Sequence, residues 1–174
     1  MGGIPLSALQ PSALHDDGTI AWDEARAALP IPGGERFIIR EGEVLLPLRS
    51  QRLRAVVARH VPAGVLATGH WALVAPDPAH LDADYLAWYL NLPSTRVRLA
   101  SAMIGSSISF LPVAAVRDFE VEVPDLRTQR RIGRAAVLTA RVARLEQALA
   151  AARQTLTDAL ARAALARATL STAS

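Results

Sequence analysis

Apolar positions along the chain follow two regimes. Up to about residue 124 they come in short groups separated by Gly and Pro. After that they recur every three or four residues without a break. Short groups of Val, Ile and Leu between turn residues predict strands, and a sustained three–four spacing predicts helix. In the first regime Ile4–Leu9 is a short apolar segment, and His15-Asp16-Asp17-Gly18 is a turn signal. Trp22–Leu29 predicts a short helix closed by Pro30. Phe37–Ile39, Val44–Leu48, Leu53–Arg59, Val65–Ala67 and Trp71–Ala75 predict strands, with Val44, Leu46 and Leu48 at period two. Asp82 is placed to cap a helix carrying Tyr85, Leu86, Tyr89 and Leu90, and Ser94 to cap the next, to about Met103. Gly105-Ser106-Ser107 predicts a loop. Phe119–Val123 alternates apolar and acidic residues, the pattern of a strand with one buried face, and Pro124 ends it.

Beyond Pro124 the chain has no Pro and a single Gly, Gly133. Asp125 is a natural N-cap for one long helix. Within it Leu138, Val142, Leu145, Leu149, Ala152, Leu156, Ala159, Ala163, Ala166 and Leu170 follow alternating spacings of four and three. These are the a and d positions of a coiled coil, with Arg141, Arg144, Arg153, Arg162 and Arg167 off the seam. Such a helix would be roughly 65–70 Å long, far more than a small domain needs for its own core. Its stripe requires a partner helix, from this protein or a second copy, and Leu138, Val142, Leu145, Leu149 and Leu156 are the candidate dimerisation residues. The expected fold class is α+β: a mixed domain over residues 1–124, then a long coiled-coil helix over 125–174.

Composition narrows the chemistry. All 19 basic residues of the 174 are Arg, and there is no Lys and no Cys. That excludes a Lys-bearing phosphate loop, Schiff-base chemistry, disulfides, thiolate metal sites and a Cys nucleophile. Ala accounts for 34 residues, so coding bias is reason enough for Arg in place of Lys. No apolar run reaches the roughly 18 residues of a membrane span, and the N-terminus lacks a secretory pattern. A soluble cytoplasmic protein is expected. The overall charge of +3 divides unevenly: residues 1–123 hold 10 Arg against 13 acids, and residues 124–174 hold 9 Arg against 3. The helix is therefore basic, which suits either an anionic partner or a solvated face.

Four stretches, taken in order, carry a family resemblance. They are Arg40–Ser50 (REGEVLLPLRS), Ala67–Val74 (ATGHWALV) with Leu81–Asn91 (LDADYLAWYLN), Gly105–Ile108 leading to Leu111, and Phe119–Ile132 (FEVEVPDLRTQRRI). Together they resemble the specificity subunit of type I restriction–modification systems, in which target-recognition domains alternate with long helices. The strand–Pro-x-Leu-x-x-Gln-x-x-Ile junction is the most recognisable segment. The chain has Gly42-Glu43 where the family usually has Gly-Asp, and Arg49-Ser50 where it has Arg-Gly. It carries one recognition domain and one helix where the usual subunit carries two of each, so it resembles a half subunit.

The resemblance implies a non-catalytic, sequence-specific DNA-binding subunit that reads half of a bipartite site in double-stranded DNA. Its helix would set the spacing to the other half and dock methyltransferase subunits, with a restriction (translocase) subunit as a further possible partner. No cofactor would be bound directly; S-adenosylmethionine and ATP with Mg would belong to the partners. Two copies would pair through antiparallel helices and face a palindromic, interrupted target.

The candidate DNA-binding residues are Arg49, Gln51, Arg52, Arg54, Arg59, His70, Ser106 and Ser107. Arg can grip phosphate or read guanine with a bidentate fork, and Gln can read adenine. The bland alternative for the Arg cluster is an exposed basic hairpin. His70 reads more readily as a partly buried, satisfied His than as a base contact, and Ser106-Ser107 equally as an ordinary turn. The His residues (15, 60, 70, 80) have no metal-ligand spacing, and no metal site is expected. Tyr85, Trp88 and Tyr89 are read as core, and Arg130, Arg131 and Arg134 as either anion contacts or a solvated face. The competing reading of the chain is a coiled-coil dimerisation or scaffold protein without DNA specificity. A hydrolase using His70 or a Ser is the weakest, since no nucleophile–base pair is spaced for it.

Overall fold

The computed structural model describes residues 5–30, 32–49, 53–105 and 109–171; side chains at 164 and 166–171 fall outside that description. Two three-stranded sheets lie in the first 75 residues. In one, β1 (Leu6–Leu9) runs between β2 (Arg26–Ala28), antiparallel to it, and β5 (Val65–Ala67), parallel to it. In the other, β3 (Val44–Pro47) runs between β4 (Val56–Val57) and β6 (Trp71–Val74), both antiparallel. Four α-helices follow: α1 (Ala83–Asn91), α2 (Pro93–Ser101), α3 (Val113–Arg117) and α4 (Leu126–Ser171). The class is α+β with one long C-terminal helix.

All four residues of β3 are buried, not only those at period two with Val44. The alternation instead sorts the strand between two cores. Val44 and Leu46 belong to a cluster with Leu48, Leu53, Leu86, Leu90, Leu99 and Leu111. Leu45 belongs to another, with Leu9, Ile39, Val56, Val65 and Trp71. Successive side chains leave a strand on opposite faces, so a central strand can serve two clusters. The turn entering β3 needs Gly42, whose φ is +83°, and Glu43 closes it by accepting from the Arg40 N–H at 2.8 Å.

Several elements depart from the sequence expectation. Trp22–Leu29 is not a helix: a 3-10 turn at Trp22–Glu24 leads into β2. Backbone pairing of residues 26–28 with β1 overrides the helix preference of this Ala-rich stretch, and Leu29 is left 85% exposed. Phe37–Ile39 makes only an isolated bridge, Ile38 to Leu66. The strand expected over Leu53–Arg59 shrinks to two residues. Beside it the Asn91 side chain pairs with Ala55 as a strand neighbour would, accepting from its N–H at 2.9 Å and donating to its carbonyl at 2.7 Å. Phe119–Val123 forms no strand and belongs to no sheet. Phe119 and Val121 pack on the first core, Val123 is exposed, and the Tyr85 hydroxyl donates to the Glu122 carbonyl at 2.6 Å. Burial raises the ionisation point of that hydroxyl and keeps it a donor. The second helix begins at Pro93, one residue before the expected cap Ser94, because Pro suits the first helical position.

The caps at Asp82 and Asp125 form as expected. Asp82 accepts from the Tyr85 N–H at 2.9 Å, and Asp125 from the Thr128 N–H at 3.0 Å and hydroxyl at 2.6 Å. These hydrogen bonds from Thr128 favour the ionised carboxylate and lower the Asp125 pKa.

Two compact units divide the chain, residues 1–136 and 137–174. The first turns of α4 belong to the first unit. Gln129 is fully buried there, accepting from the Asp82 N–H at 2.8 Å and donating to the carbonyls of Pro124 and His80 at 2.7 and 3.0 Å. One turn on, Gly133 lies so close to α1 that a Cβ would meet Asp84 Cβ at 2.8 Å and Tyr85 N at 2.9 Å. The second unit is the rest of the helix, and none of its described side chains is buried.

Candidate nucleic-acid interface

Three segments singled out in the sequence converge at the end of β3. The Leu48 N–H donates to the His70 carbonyl at 2.7 Å, and the Leu48 carbonyl accepts from the Leu111 N–H at 2.8 Å. Leu48 therefore sits between the β5–β6 turn and the segment after the Gly105 loop. The stem of that loop is closed by an antiparallel bridge between Ile104 and Phe110. Arg49, exposed, extends its guanidinium to 5.8 Å from the centre of the Phe110 ring, a cation–π contact. His70 is half-buried, and its Nδ1 is buried with no hydrogen-bond partner. A buried ring nitrogen without a partner costs free energy unless a ligand or water satisfies it. Arg49, His70 and the stem of the Gly105 loop thus share one place in the fold. Gln51, Arg52, Ser106 and Ser107 lie outside the described residues.

Arg54 and Arg59 face other partners. Arg54 donates from Nη1 to the Asp16 carbonyl at 2.5 Å and from Nη2 to the Asp17 carbonyl at 3.2 Å. It braces the turn at 15–18, where Gly18 has φ +85° and a Cβ would reach Arg54 Nη2 at 2.8 Å. Arg59 pairs with Asp84 on α1 through Nη2, at 2.6 and 2.7 Å to the two carboxylate oxygens. Its carbonyl also accepts from the Trp22 indole N–H at 3.0 Å. Both guanidiniums hold the fold together in this structure. Arg96 on α2 escaped the sequence reading, yet it lines the same pocket as Arg54. Forty-two positions separate the two, and no local pattern links them.

On α4 the candidate dimerisation residues all face solvent: Leu138 is 61% exposed, Val142 53%, Leu145 62%, Leu149 50% and Leu156 61%. Arg130, Arg131 and Arg134 are exposed on its first turns. Tyr85 and Tyr89 are buried and Trp88 partly so, with ring centres 5.5–6.5 Å apart, as core aromatics. Among the described residues no group of three or more His, Asp or Glu is placed to hold a metal ion, and no helix is long and apolar enough to cross a membrane. No family model matches the chain, and no curated protein resembles it significantly.

Proposed function

We propose that the chain is a specificity subunit of a type I restriction–modification system, contributing one target-recognition domain and one long helix. In this reading it is non-catalytic: it reads half of a bipartite site in double-stranded DNA and leaves methylation and cleavage to partner subunits. Those partners bind S-adenosylmethionine and, for cleavage, ATP with Mg. The observation that carries the reading is the convergence of Arg49, His70 and the Gly105 loop stem at the end of β3. It combines an exposed guanidinium with the stem of a Gly-bearing loop, which suits contact with phosphates and base edges. Support also comes from the junction motif, whose Gln129 has a defined role in seating the helix start. The exposed seam on α4 supports pairing of two copies, and two copies related by a two-fold axis would meet a symmetric target.

A mobility-shift titration across salt, with and without a methyltransferase subunit, tests the reading. Specific binding that weakens as salt rises, and that is reduced by Arg49→Ala, is the expected result. One observation favours the scaffold alternative: Arg59, a candidate DNA contact, is already paired with the Asp84 carboxylate inside the fold. A chain that dimerises, ignores DNA at every salt concentration and captures no methyltransferase subunit would establish that alternative.

A further inference from the structure

A cavity of about 180 Å³ opens between the turn at 14–16, Pro47 at the end of β3, Arg54 and Arg96 of α2. We infer that it is an oxyanion site shaped for one phosphate group. Leu14 and Pro47 supply apolar wall, and the polar lining is Arg54, Arg96, His15 and Asp16. Two guanidiniums in one small cavity repel each other unless a counter-charge lies between them. Among the described residues neither one forms an ion pair with a carboxylate. Arg54 spends one N–H of each terminal nitrogen on neutral backbone carbonyls, at Asp16 and Asp17. Those bonds orient its fork but leave its charge intact, and three of its five donors remain. The guanidinium lies close over Gly18, where a Cβ would come within 2.8–3.1 Å of its atoms. Such a donor loses little freedom when a ligand arrives.

Size and charge define the ligand class. At about 180 Å³ the cavity is below the roughly 300–1,000 Å³ of a typical small-molecule site, a size that suits a phosphate group. Two guanidiniums against one carboxylate, Asp16, give a lining that favours an anion. A DNA backbone phosphate and free inorganic phosphate share this chemistry. Only the DNA source rests on the function proposed above.

Titration of the full-length protein with inorganic phosphate, against chloride at matched ionic strength, reads the site directly by amide and Arg side-chain NMR. Saturable shifts at residues 14–18 and at Arg96 are expected, with affinity at least tenfold weaker in Arg96→Ala. Arg96→Lys keeps the charge but loses the fork, and should fall between the two. In a parallel DNA titration Arg96→Ala should reduce the slope of log affinity against log salt by about one, the signature of one lost phosphate contact. Phosphate binding with an unchanged DNA slope would support the site and assign it to free phosphate. A changed slope without phosphate binding would support a diester site. If phosphate shifts nothing beyond chloride and the DNA slope is unmoved, the inference is wrong. The phosphate arm stays informative even if the protein binds no DNA.

Discussion

Gln129 and Gly133 show how much a single position can carry at the start of α4. Gln129 satisfies three backbone groups from two segments, and an apolar replacement leaves them buried without partners. Gln129→Leu is expected to cost about 2–4 kcal/mol, read as a lower urea midpoint at unchanged slope. Gly133 reverses a general rule. Replacing Gly by Ala inside a helix usually gains about 1 kcal/mol. Here the new methyl would meet Asp84 Cβ and the Tyr85 backbone nitrogen at under 3 Å. Gly133→Ala should therefore destabilise by about 1–3 kcal/mol, and a gain in thermal stability would refute the close packing. The sequence marks Gly133 as the one Gly of a long helix, but its reason lies on α1, some fifty residues earlier.

α4 is the element whose pattern was most legible and whose environment was least so. Its heptad spacing fixes which residues share a face, and the exposure of Leu138 to Leu156 leaves that face uncovered within the chain. The double substitution Leu145→Glu with Leu149→Glu is expected to convert a dimer to a monomer in sedimentation. It should leave the unfolding of residues 1–136 unchanged, because neither side chain contributes to those cores. Oligomeric state indifferent to both charges would remove the seam from consideration. The cap of the same helix is sensitive to acid. The folded pKa of Asp125 is held below its ordinary value of 3.8 by hydrogen bonds from Thr128. Its contribution is therefore complete above about pH 4 and lost as pH falls through the lower folded value. Helicity followed from pH 5 to pH 2 should show that loss in the wild type and a shallower one in Asp125→Asn. Shorter elements were less legible. β2 has the composition of a helix and residues 119–123 the alternation of a strand, and the presence or absence of a pairing partner decides both.

At the scale of the molecule, charge and architecture bear on the same question. The first 123 residues carry a net −3, so that region by itself offers little general attraction to DNA. Under the proposed function, binding by the isolated protein is weak and steeply salt-dependent, and a methyltransferase subunit strengthens it by completing the clamp. Equal affinity with and without that partner would count against a subunit that works only in a complex. The candidate site was partly legible. Arg49 and His70 were singled out from local motifs, but their meeting at Leu48 depends on backbone hydrogen bonds across more than twenty and sixty residues. Arg54 and Arg59 looked like neighbours of Arg49 in sequence, yet the fold turns one toward the 15–18 turn and the other toward α1.

Local chemistry in the sequence was enough to determine the two regimes of the chain, the caps at Asp82 and Asp125, the strands at 44–47, 65–67 and 71–74, and the heptad face of α4. Each rests on side-chain periodicity or on a hydrogen bond within a few residues. Only the tertiary structure decided that β3 serves two cores, that Gln129 and Gly133 seat the helix start against α1, and that Arg54 and Arg96 line one cavity. These depend on contacts between residues of different segments, many of them some forty or more positions apart, and no short-range pattern encodes which distant group will arrive opposite a given side chain.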